Sequence, residues 1–112
     1  MIGAIASPVL SLAADSSSLS TTGEYVQACG QKTIPNVCYE RFAFGKVMGN
    51  MSSKYPKNCA PDFASETVKG NKAKNAEMVT KVVEWLKNHP EYSDKDVSDG
   101  LAAGISAVYP CP

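Results

Sequence analysis

The chain has 112 residues, and its eleven Lys and Arg balance its eleven Asp and Glu to a formal net charge of zero. This neutral total argues against a nucleic acid as partner, and the length is that of one small domain. Four cysteines in so short a chain indicate an oxidising compartment, where cysteine forms a structural disulfide more often than it serves as a nucleophile. After the N-terminal segment, no stretch approaches the ~20 apolar residues that a membrane-spanning helix requires.

The N-terminal segment is similar to the second half of a secretion signal. An apolar run extends from Ile2 to Leu12, passes through a small-x-small cleavage pattern, and leads into a serine-rich stretch. We expect residues 1–13 to be a signal-peptide remnant and residues 14–112 to form a single helical domain. The alternative is a hydrophobic N-terminal strand or helix, against which Pro8 and the abrupt change to serines weigh.

Two helices are predicted after this segment. The sequence Thr21–Glu24 predicts the start of a short helix, and Gly30 is a natural end for it. A second helix is predicted from about Pro35 to Ser53, because proline suits the first helical turn and apolar residues then recur at helical spacing. These apolar residues are Val37, Phe44, Met48 and Met51.

A neighbouring stripe of the second helix contains Phe42, Gly45 and Gly49. Each glycine inside a helix costs about 1 kcal/mol relative to alanine, so a compensating contact is expected. The simplest such contact is the close approach of another helix, from the same chain or from a second copy.

The loop from Lys54 to about Asn71 contains two prolines, which disfavour continuous helix, and one turn of helix is expected near residues 65–69. The next helix, predicted from Lys72 to Asn88, has the clearest amphipathic pattern in the chain. Its apolar stripe consists of Ala76, Val79, Val82, Val83 and Leu86. Trp85 lies near the edge of this stripe, where its ring packs on the core or faces a partner, and the core edge is the preferred position.

The last helix is predicted to begin after Pro90, with Ser93 as its N-cap and the following acidic residues at the positive end of the helix dipole. It ends at Tyr109-Pro110, and its expected buried face comprises Val97, Leu101, Ala102, Ile105 and Val108. No alternating run is long enough to predict a sheet. The predicted fold class is therefore all-α, a small disulfide-stapled bundle of about four helices with short helical turns in its loops.

Four cysteines allow three pairings. The preferred pairing joins Cys29 to Cys38, because the end of the first helix and the start of the second can form a hairpin across a short loop. This pairing leaves Cys59 with Cys111, which ties the long loop to the C-terminus. Closing a ring of that length constrains the unfolded chain by about 4 kcal/mol.

The charges are unevenly distributed, with ten Lys and Arg against five Asp and Glu between residues 32 and 87. The expected basic side consists of Lys54, Lys57, Lys69, Lys72 and Lys74. These lysines are either solvated side chains on exposed elements or charges that steer an acidic partner towards the protein.

The residue pattern argues against an enzyme. A catalytic cysteine needs a histidine within hydrogen-bond reach, and the only histidine, His89, lies beside a proline at a helix end. The cysteine spacings contain no CxxC-like pair for zinc, and the carboxylates of Asp94 and Asp96 are explained as charges at a helix start. We therefore predict no catalytic residue, no metal and no cofactor.

Four strings carry a resemblance to a known family by their common order and spacing. The strings are Val37–Gly45 (VCYERFAFG), Asn58–Pro61 (NCAP), Val82–Glu91 (VVEWLKNHPE) and Ala107–Cys111 (AVYPC). Over roughly residues 23–111 the chain resembles the Rap/Tai type of type VI secretion immunity proteins. In that family, a cysteine-bearing helix leads to a Cys-x-Pro loop, a helix ending in Leu-x-x-His-Pro-Glu and a closing Tyr/Phe-Pro-Cys.

The resemblance implies a periplasmic helical protein, often a homodimer, that binds and blocks a peptidoglycan-cleaving amidase or endopeptidase delivered by a neighbouring or sister cell. Protection of the producing cell would come from occlusion and not from catalysis. The segment 62–74 is richer in lysine than the family pattern, and the shared positions are mainly structural. The resemblance therefore identifies neither the effector nor the inhibitory residues.

The predicted contact residues come from physical reasoning. An inhibitor of a groove-shaped hydrolase needs a protruding feature, and the candidate loops are residues 54–58 and 89–94. Tyr55 and Tyr92 are the expected anchors, because aromatic residues are frequent at interfaces; alternatively they pack over the helix ends beside each proline. The predicted effector-binding set is Tyr55, Lys57, His89, Glu91, Tyr92 and Asp94.

The alternative function is a periplasmic stress or chaperone-like protein that binds unfolded clients through apolar surface. The single histidine, and the expectation of no concentration of exposed apolar residues beyond Tyr, Trp and Met, favour immunity over this alternative. In both cases we expect a periplasmic protein with no nucleic-acid partner and, in its mature form, no membrane association.

Overall fold

A computed structural model describes residues 19–112 of the chain. The predicted signal-peptide residues 1–13 lie outside this range, as do residues 14–18. The helical elements are α1 (Thr22–Cys29), α2 (Asn36–Met51), α3 (Asn71–Lys87), a 3-10 helix (Pro90–Tyr92) and α4 (Val97–Val108). The described residues form no strand, so the predicted all-α class with about four helices is confirmed. None of the described helices is long and apolar enough to cross a membrane.

The first helix begins and ends where the sequence predicts. The Thr21 hydroxyl accepts a hydrogen bond from the Glu24 N–H (3.1 Å), and the Glu24 carboxylate accepts one from the Thr21 N–H (3.0 Å). This reciprocal capping box satisfies two amides that the helix itself leaves unpaired. The backbone bonds from Thr21 and then Ser20 also hold the pKa of Glu24 below its usual value. Gly30 closes the helix by donating its N–H to Val26.

The glycine stripe of α2 is buried against α4. A Cβ at Gly45 would lie 2.7 Å from the Cβ of Leu101, and one at Gly49 would lie 3.1 Å from the Cβ of Ala102. Both distances are shorter than ordinary carbon contacts, so a side chain at Gly45 would force α4 to shift and one at Gly49 would require a smaller adjustment. The predicted helix contact therefore comes from the same chain.

The apolar stripe of α2 faces outward. The exposed fractions are 57% for Phe44, 55% for Val47, 40% for Met48 and 75% for Met51, and we call this surface the outer α2 face. The recurrence of apolar residues predicted the helix correctly but did not mark its buried side; Val37 alone is partly buried. The expectation of no concentration of exposed apolar residues beyond Tyr, Trp and Met is wrong at this surface, where Phe44 and Val47 are exposed beside the two methionines.

The amphipathic pattern of α3 agrees with its burial. Val79, Val82, Val83 and Leu86 are buried, Ala76 is partly buried, and the observed bounds differ from the predicted ones by one residue at each end. In the preceding loop, the expected turn of helix at residues 65–69 is instead a hydrogen-bonded turn in which the Val68 N–H donates to Ser65.

The start of α4 differs from the prediction. The N-cap is Asp96, whose carboxylate accepts a hydrogen bond from the Ser98 N–H (3.0 Å), and Ser93 does not cap the helix. The Ser93 N–H bonds to Pro90 (3.0 Å) and the Lys95 N–H bonds to Tyr92 (2.9 Å). These turns, set by the 3-10 helix after His89, delay the start of α4 by three residues.

Both predicted disulfides are present. Cys29 and Cys38 join α1 to α2 with a Cα–Cα distance of 5.8 Å, and both residues are buried. Cys59 and Cys111 join the α2–α3 loop to the C-terminus with a Cα–Cα distance of 4.9 Å, and both are exposed. Two structural disulfides in a chain of this size fit a secreted protein.

Candidate functional site

The two loops that the sequence predicts as contact regions converge on one surface. The ring of Trp85 stacks on that of His89 with centroids 3.7 Å apart and lies 5.8 Å from the ring of Tyr92. Tyr55 comes from the other loop; burial and then Asp99 raise the pKa of its phenol most, and the phenol of Tyr92 lies within electrostatic range and adds the smallest contribution. We call the group formed by Tyr55, Trp85, His89 and Tyr92 the aromatic cluster.

The end of α3 positions three members of the cluster. Trp85 and His89 are four residues apart and therefore share one side of the last helical turn. Nδ1 of His89 lies 2.7 Å from the Trp85 carbonyl oxygen, which fixes the imidazole over the indole. Pro90 then starts the 3-10 helix, and the Tyr92 N–H donates to the His89 carbonyl (3.1 Å). This tight turn brings Tyr92 back towards Trp85.

Tyr55 is attached to α4 from the other loop. Its hydroxyl donates a hydrogen bond to Oδ1 of Asp99 (3.3 Å), and the Lys54 ammonium lies 3.3 Å from the same oxygen. Partial burial, followed by the Asp99 carboxylate, raises the pKa of Tyr55 above its usual value. The phenol therefore remains protonated and donates this bond at all physiological pH values.

The predicted charged residues take two different positions. Lys57 is exposed along its stem, but its ammonium donates to the Asn50 carbonyl (2.8 Å) near the end of α2. Glu91 and Asp94 are exposed on and just after the 3-10 helix. The structure thus brings Tyr55, His89 and Tyr92 together, with the two acids beside them. Both tyrosines are half-buried, so each packs on a helix end and also presents part of its ring to solvent.

Two residues of this surface were not among the predicted contact residues. Trp85 is half-buried at the edge of the core, as preferred from the sequence, yet its ring also supports His89 and Tyr92. The spacing of these three aromatic residues at i, i+4 and i+7 is a signal that could have identified the group. Asp99 carries no such signal, because it lies 44 positions from Tyr55 and meets it only through the tertiary fold.

The five lysines predicted to make one side basic are all exposed. Lys54 lies beside Tyr55 and pairs with Asp99, whereas the Lys57 ammonium is engaged by the Asn50 carbonyl near the end of α2. The other three are Lys69, Lys72 and Lys74, at the start of α3.

A groove of about 440 Å³ lies between α1 and the end of α3, next to the 3-10 helix. Its floor includes Val26 and Leu86, and its polar residues include Gln27, Gln31 and Lys87. The lining contains no Asp, Glu or His, so the groove offers no acid–base pair for chemistry. Across residues 19–112, both cysteine pairs are oxidised and no three His, Cys, Asp or Glu side chains are grouped to hold a metal.

Comparison of the chain with family models, with curated proteins and with solved structures gave no match.

Proposed function

We propose that this protein is a periplasmic immunity protein that binds and occludes a type VI secreted peptidoglycan-hydrolysing amidase and so protects the cell that produces it. The observation that carries the proposal is the aromatic cluster, in which two separate loops present tyrosine rings on one surface. The order of sequence strings that resembles the Rap/Tai immunity proteins supports the same function.

The aromatic cluster has the properties of an interface anchor. Tyrosine and tryptophan bring large apolar area with few rotatable bonds, and they are enriched among residues that dominate binding energy. The Tyr55 hydroxyl is fixed by Asp99, and Tyr92 is fixed by the turn that follows His89. Because these side chains are already ordered, little conformational entropy is lost when a partner binds.

Inhibition by this surface is steric. The imidazole of His89 is stacked on Trp85 and its Nδ1 is engaged by a carbonyl, so its role in the cluster is to support the neighbouring rings. A hydrolase groove covered by the tyrosines would be closed to peptidoglycan strands without any reaction on the inhibitor. Glu91 and Asp94 add negative charge at the edge of this surface, where it steers association more than it adds affinity.

The test is a binding and inhibition assay with the product of the neighbouring gene, measured as release of peptide from peptidoglycan. We expect the oxidised protein to inhibit an amidase encoded there. Tyr55→Ala or Tyr92→Ala, measured separately, should weaken binding by at least about 1 kcal/mol, roughly fivefold in Kd, in one case or both. A neighbouring product that neither cleaves peptidoglycan nor binds this protein would contradict the proposal.

A matched control separates loss of contact from loss of fold. Tyr39 is also half-buried and its ring packs on Phe63 with centroids 5.4 Å apart, so Tyr39→Ala removes a comparable ring. We expect Tyr39→Ala to inhibit the amidase as the wild type does, in an assay at a temperature where thermal unfolding shows that the variant is folded. Wild-type affinity in both Tyr55→Ala and Tyr92→Ala would exclude the aromatic cluster from the interface.

The chaperone-like alternative is favoured by one observation, the outer α2 face, because exposed apolar side chains can bind unfolded clients. The two functions differ in their thermodynamic signature. A single cognate hydrolase should raise the unfolding temperature of this protein strongly through tight binding to the native state. Denatured clients should bind weakly and without preference, and they should leave the unfolding temperature nearly unchanged.

A further inference from the structure

We propose that the disulfide Cys59–Cys111 is a thiol-exchange site, which a dithiol reductant opens while the disulfide Cys29–Cys38 stays closed. Opening this bond frees residues 110–112 and leaves the remaining fold in place, so the bond regulates how long the folded protein persists. This inference goes beyond the proposed immunity function, because the disulfide is not part of the aromatic cluster and its tests need no hydrolase.

The two disulfides differ in their access to solvent. Cys29 and Cys38 are 1% and 0% exposed between α1 and α2, whereas Cys59 and Cys111 are both exposed. Thiol–disulfide exchange requires an attacking thiolate to reach a sulfur atom, so exposed disulfides exchange more readily than buried ones. A reductant that approaches the folded protein therefore reacts with Cys59–Cys111 first.

The core shields the other disulfide further. Tyr25 is fully buried, and its hydroxyl donates a hydrogen bond to the Cys38 carbonyl (2.9 Å). A reductant reaches the sulfur atoms of Cys29–Cys38 only after α1 and α2 have separated at this point. Reduction of this bond is therefore limited by unfolding of the core, whereas reduction of the exposed bond is not.

Cys59 lies in a segment that is held independently of its disulfide. The preceding residue, Asn58, is buried; its N–H donates to Oδ1 of Asn50 (2.7 Å), and its side-chain Nδ2 donates to the Lys46 carbonyl (3.1 Å). The next residue, Ala60, is also buried, and its N–H donates to Oδ1 of Asn58 (3.3 Å). These bonds keep the loop attached to α2 when the disulfide opens.

The other sulfur lies in a segment with little buried surface. Residues 110–112, which follow α4, are all exposed. The Cys59 N–H donates to the Tyr109 carbonyl (2.8 Å), and an isolated bridge joins Asn58 to Pro110. Because these contacts bury little surface, local opening of this segment costs little free energy once the covalent bond is broken. The freed thiol stays tethered to α4, so an oxidant can close the ring again.

The exchange with a dithiol balances in two steps. One thiolate of the reductant attacks a sulfur of Cys59–Cys111, the S–S bond breaks, and the other cysteine leaves as a thiolate that takes up a proton. The second thiolate of the reductant then attacks the mixed disulfide, releases the remaining cysteine and closes the reductant's own disulfide. Two electrons pass from the reductant to the protein, and its two protons end on the two cysteine thiols. The Cys-x-x-Cys pair of an oxidoreductase is a dithiol of this class.

A time course with dithiothreitol tests the site. Samples of the native, oxidised protein are quenched with iodoacetamide, and alkylated peptides are quantified by mass spectrometry. We expect Cys59 and Cys111 to be alkylated at least about tenfold faster than Cys29 and Cys38. In urea, where both disulfides are accessible, the two pairs should react at similar rates. A native protein in which both pairs open together, in which Cys29–Cys38 opens first, or in which neither opens overturns the proposal.

Hydrogen exchange tests which part of the molecule is freed. The full chain with Cys59→Ser and Cys111→Ser represents the reduced form, and the Thr22 amide at the opposite end of α4 is the internal reference. We expect the amide at position 59, which loses its acceptor at Tyr109, to exchange at least about tenfold faster relative to this reference than in the wild type. An equal rise at both amides would mean that the whole fold opens, which overturns the local release.

Digestion with subtilisin tests the effect on the lifetime of the folded protein. At a dithiothreitol concentration that spares Cys29–Cys38, the wild type should be digested several-fold faster than without dithiothreitol, because open forms are the ones that are cleaved. The matched control is the Cys59→Ser, Cys111→Ser variant, which should be digested at one rate with and without dithiothreitol. A wild type that is insensitive to dithiothreitol, or a variant that is as sensitive as the wild type, overturns the proposal.

Discussion

The two ends of α4 are joined to the rest of the molecule by different kinds of bond. Its N-terminal end is fixed by hydrogen bonds around the buried Thr22 at the start of α1, and the two segments meet in an isolated bridge between Thr21 and Asp96. Its C-terminal end is fixed by the disulfide Cys59–Cys111, beside a second bridge between Asn58 and Pro110. One attachment depends on burial, and the other is exposed to solvent.

At the N-terminal end, Thr22 is almost completely buried, and both its N–H and its hydroxyl donate to backbone carbonyls before α4. Its N–H donates to the Lys95 carbonyl (2.8 Å), and its hydroxyl lies 3.1 Å from the carbonyls of both Lys95 and Asp96. The Val97 N–H donates to Ser20 (2.9 Å). Hydrogen bonds of this kind stabilise the native state, each by about 1 kcal/mol net.

At the C-terminal end, the Cys59 N–H donates to the Tyr109 carbonyl (2.8 Å), but both cysteines of the disulfide are exposed. A disulfide needs no burial to stabilise a fold, because most of its effect comes from restricting the unfolded chain. At this end the exposed disulfide therefore adds a covalent constraint beside the buried Asn58 and Ala60, whereas the N-terminal end has hydrogen bonds and packing around Thr22 alone.

The largest expected effect comes from removing the exposed disulfide. Cys59→Ser with Cys111→Ser opens a ring with a sequence separation of 52 and should lower the free energy of unfolding by about 4 kcal/mol. Cys59 and Cys111 are exposed, so serine hydroxyls at these positions are solvated and cause little further loss of stability. Urea titration of the oxidised proteins measures the difference. A loss below about 1 kcal/mol would show that Asn58 and the bridge to Pro110 secure this end without the covalent bond.

A somewhat smaller loss is expected from Gly100→Ala at the other end. In an open helix this change would stabilise by up to about 1 kcal/mol, but here the new Cβ would overlap the side chain of Thr22. We expect a net loss of about 2–3 kcal/mol, as for overpacking of a tight core. The control is Gly100→Ala in a Thr22→Ala background, where the two closest atoms, Oγ1 and Cγ2, are gone and only the Cβ at position 22, at 2.8 Å, still has to shift. The added methyl group should therefore cost less there.

Thr22→Val isolates the hydroxyl at the same position, because valine keeps the shape of threonine. The hydroxyl's bond is lost, but both carbonyls keep backbone donors: the Lys95 carbonyl from the Thr22 N–H, and the Asp96 carbonyl from the N–H groups of Asp99 and Gly100. Because no carbonyl is left unpaired, we expect a loss of about 1 kcal/mol in the free energy of unfolding. Thr22→Ser, which retains the hydroxyl, should lose less; the reverse order would show that methyl packing and not hydrogen bonding secures this end.

Local patterns predicted the helices and the disulfide Cys29–Cys38 because each signal is complete within a short stretch, and Cys59–Cys111 followed as the remaining pair. The Thr21–Glu24 cap, the stripe of α3 and the nearness of Cys29 to Cys38 all depend on neighbours in sequence. The true cap of α4 was missed because Ser93 and Asp96 are both good capping residues. The choice between them follows from the turn at Pro90 and from the bond between Ser20 and Val97, which joins distant segments.

The faces of α2 show a second limit of sequence reasoning. Periodicity identifies a helix and predicts that its most apolar stripe is buried. In α2, however, Gly45 and Gly49 are buried, and Phe44 and Met51 of the apolar stripe are exposed. The aromatic cluster was predicted in part, because prolines mark both loops. That Tyr55 meets Asp99, and that the loops converge, depends on the packing of α2 against α4 and has no sequence signature.

The smallest expected effect concerns the charge at the N-cap of α4. Hydrogen bonds from the Ser98 hydroxyl and then its N–H hold the pKa of Asp96 below the ordinary value of 3.8, and the Arg41 guanidinium adds to this. Because the folded-state pKa is lowered, the carboxylate contributes stability above pH 3.8, and this contribution is lost as the pH falls through the folded-state pKa.

Asp96→Asn keeps the capping oxygen and removes the charge, so it tests this contribution alone. We expect it to cost about 0.5 kcal/mol at pH 7, a small value because the site is exposed, and nothing once Asp96 is protonated. Urea titrations of both proteins at neutral pH and well below pH 3.8 give the difference, in which other carboxylates such as Glu24 and Asp62 cancel. An unchanged difference at both pH values would mean that the N-terminal end of α4 depends on hydrogen-bond geometry and not on charge.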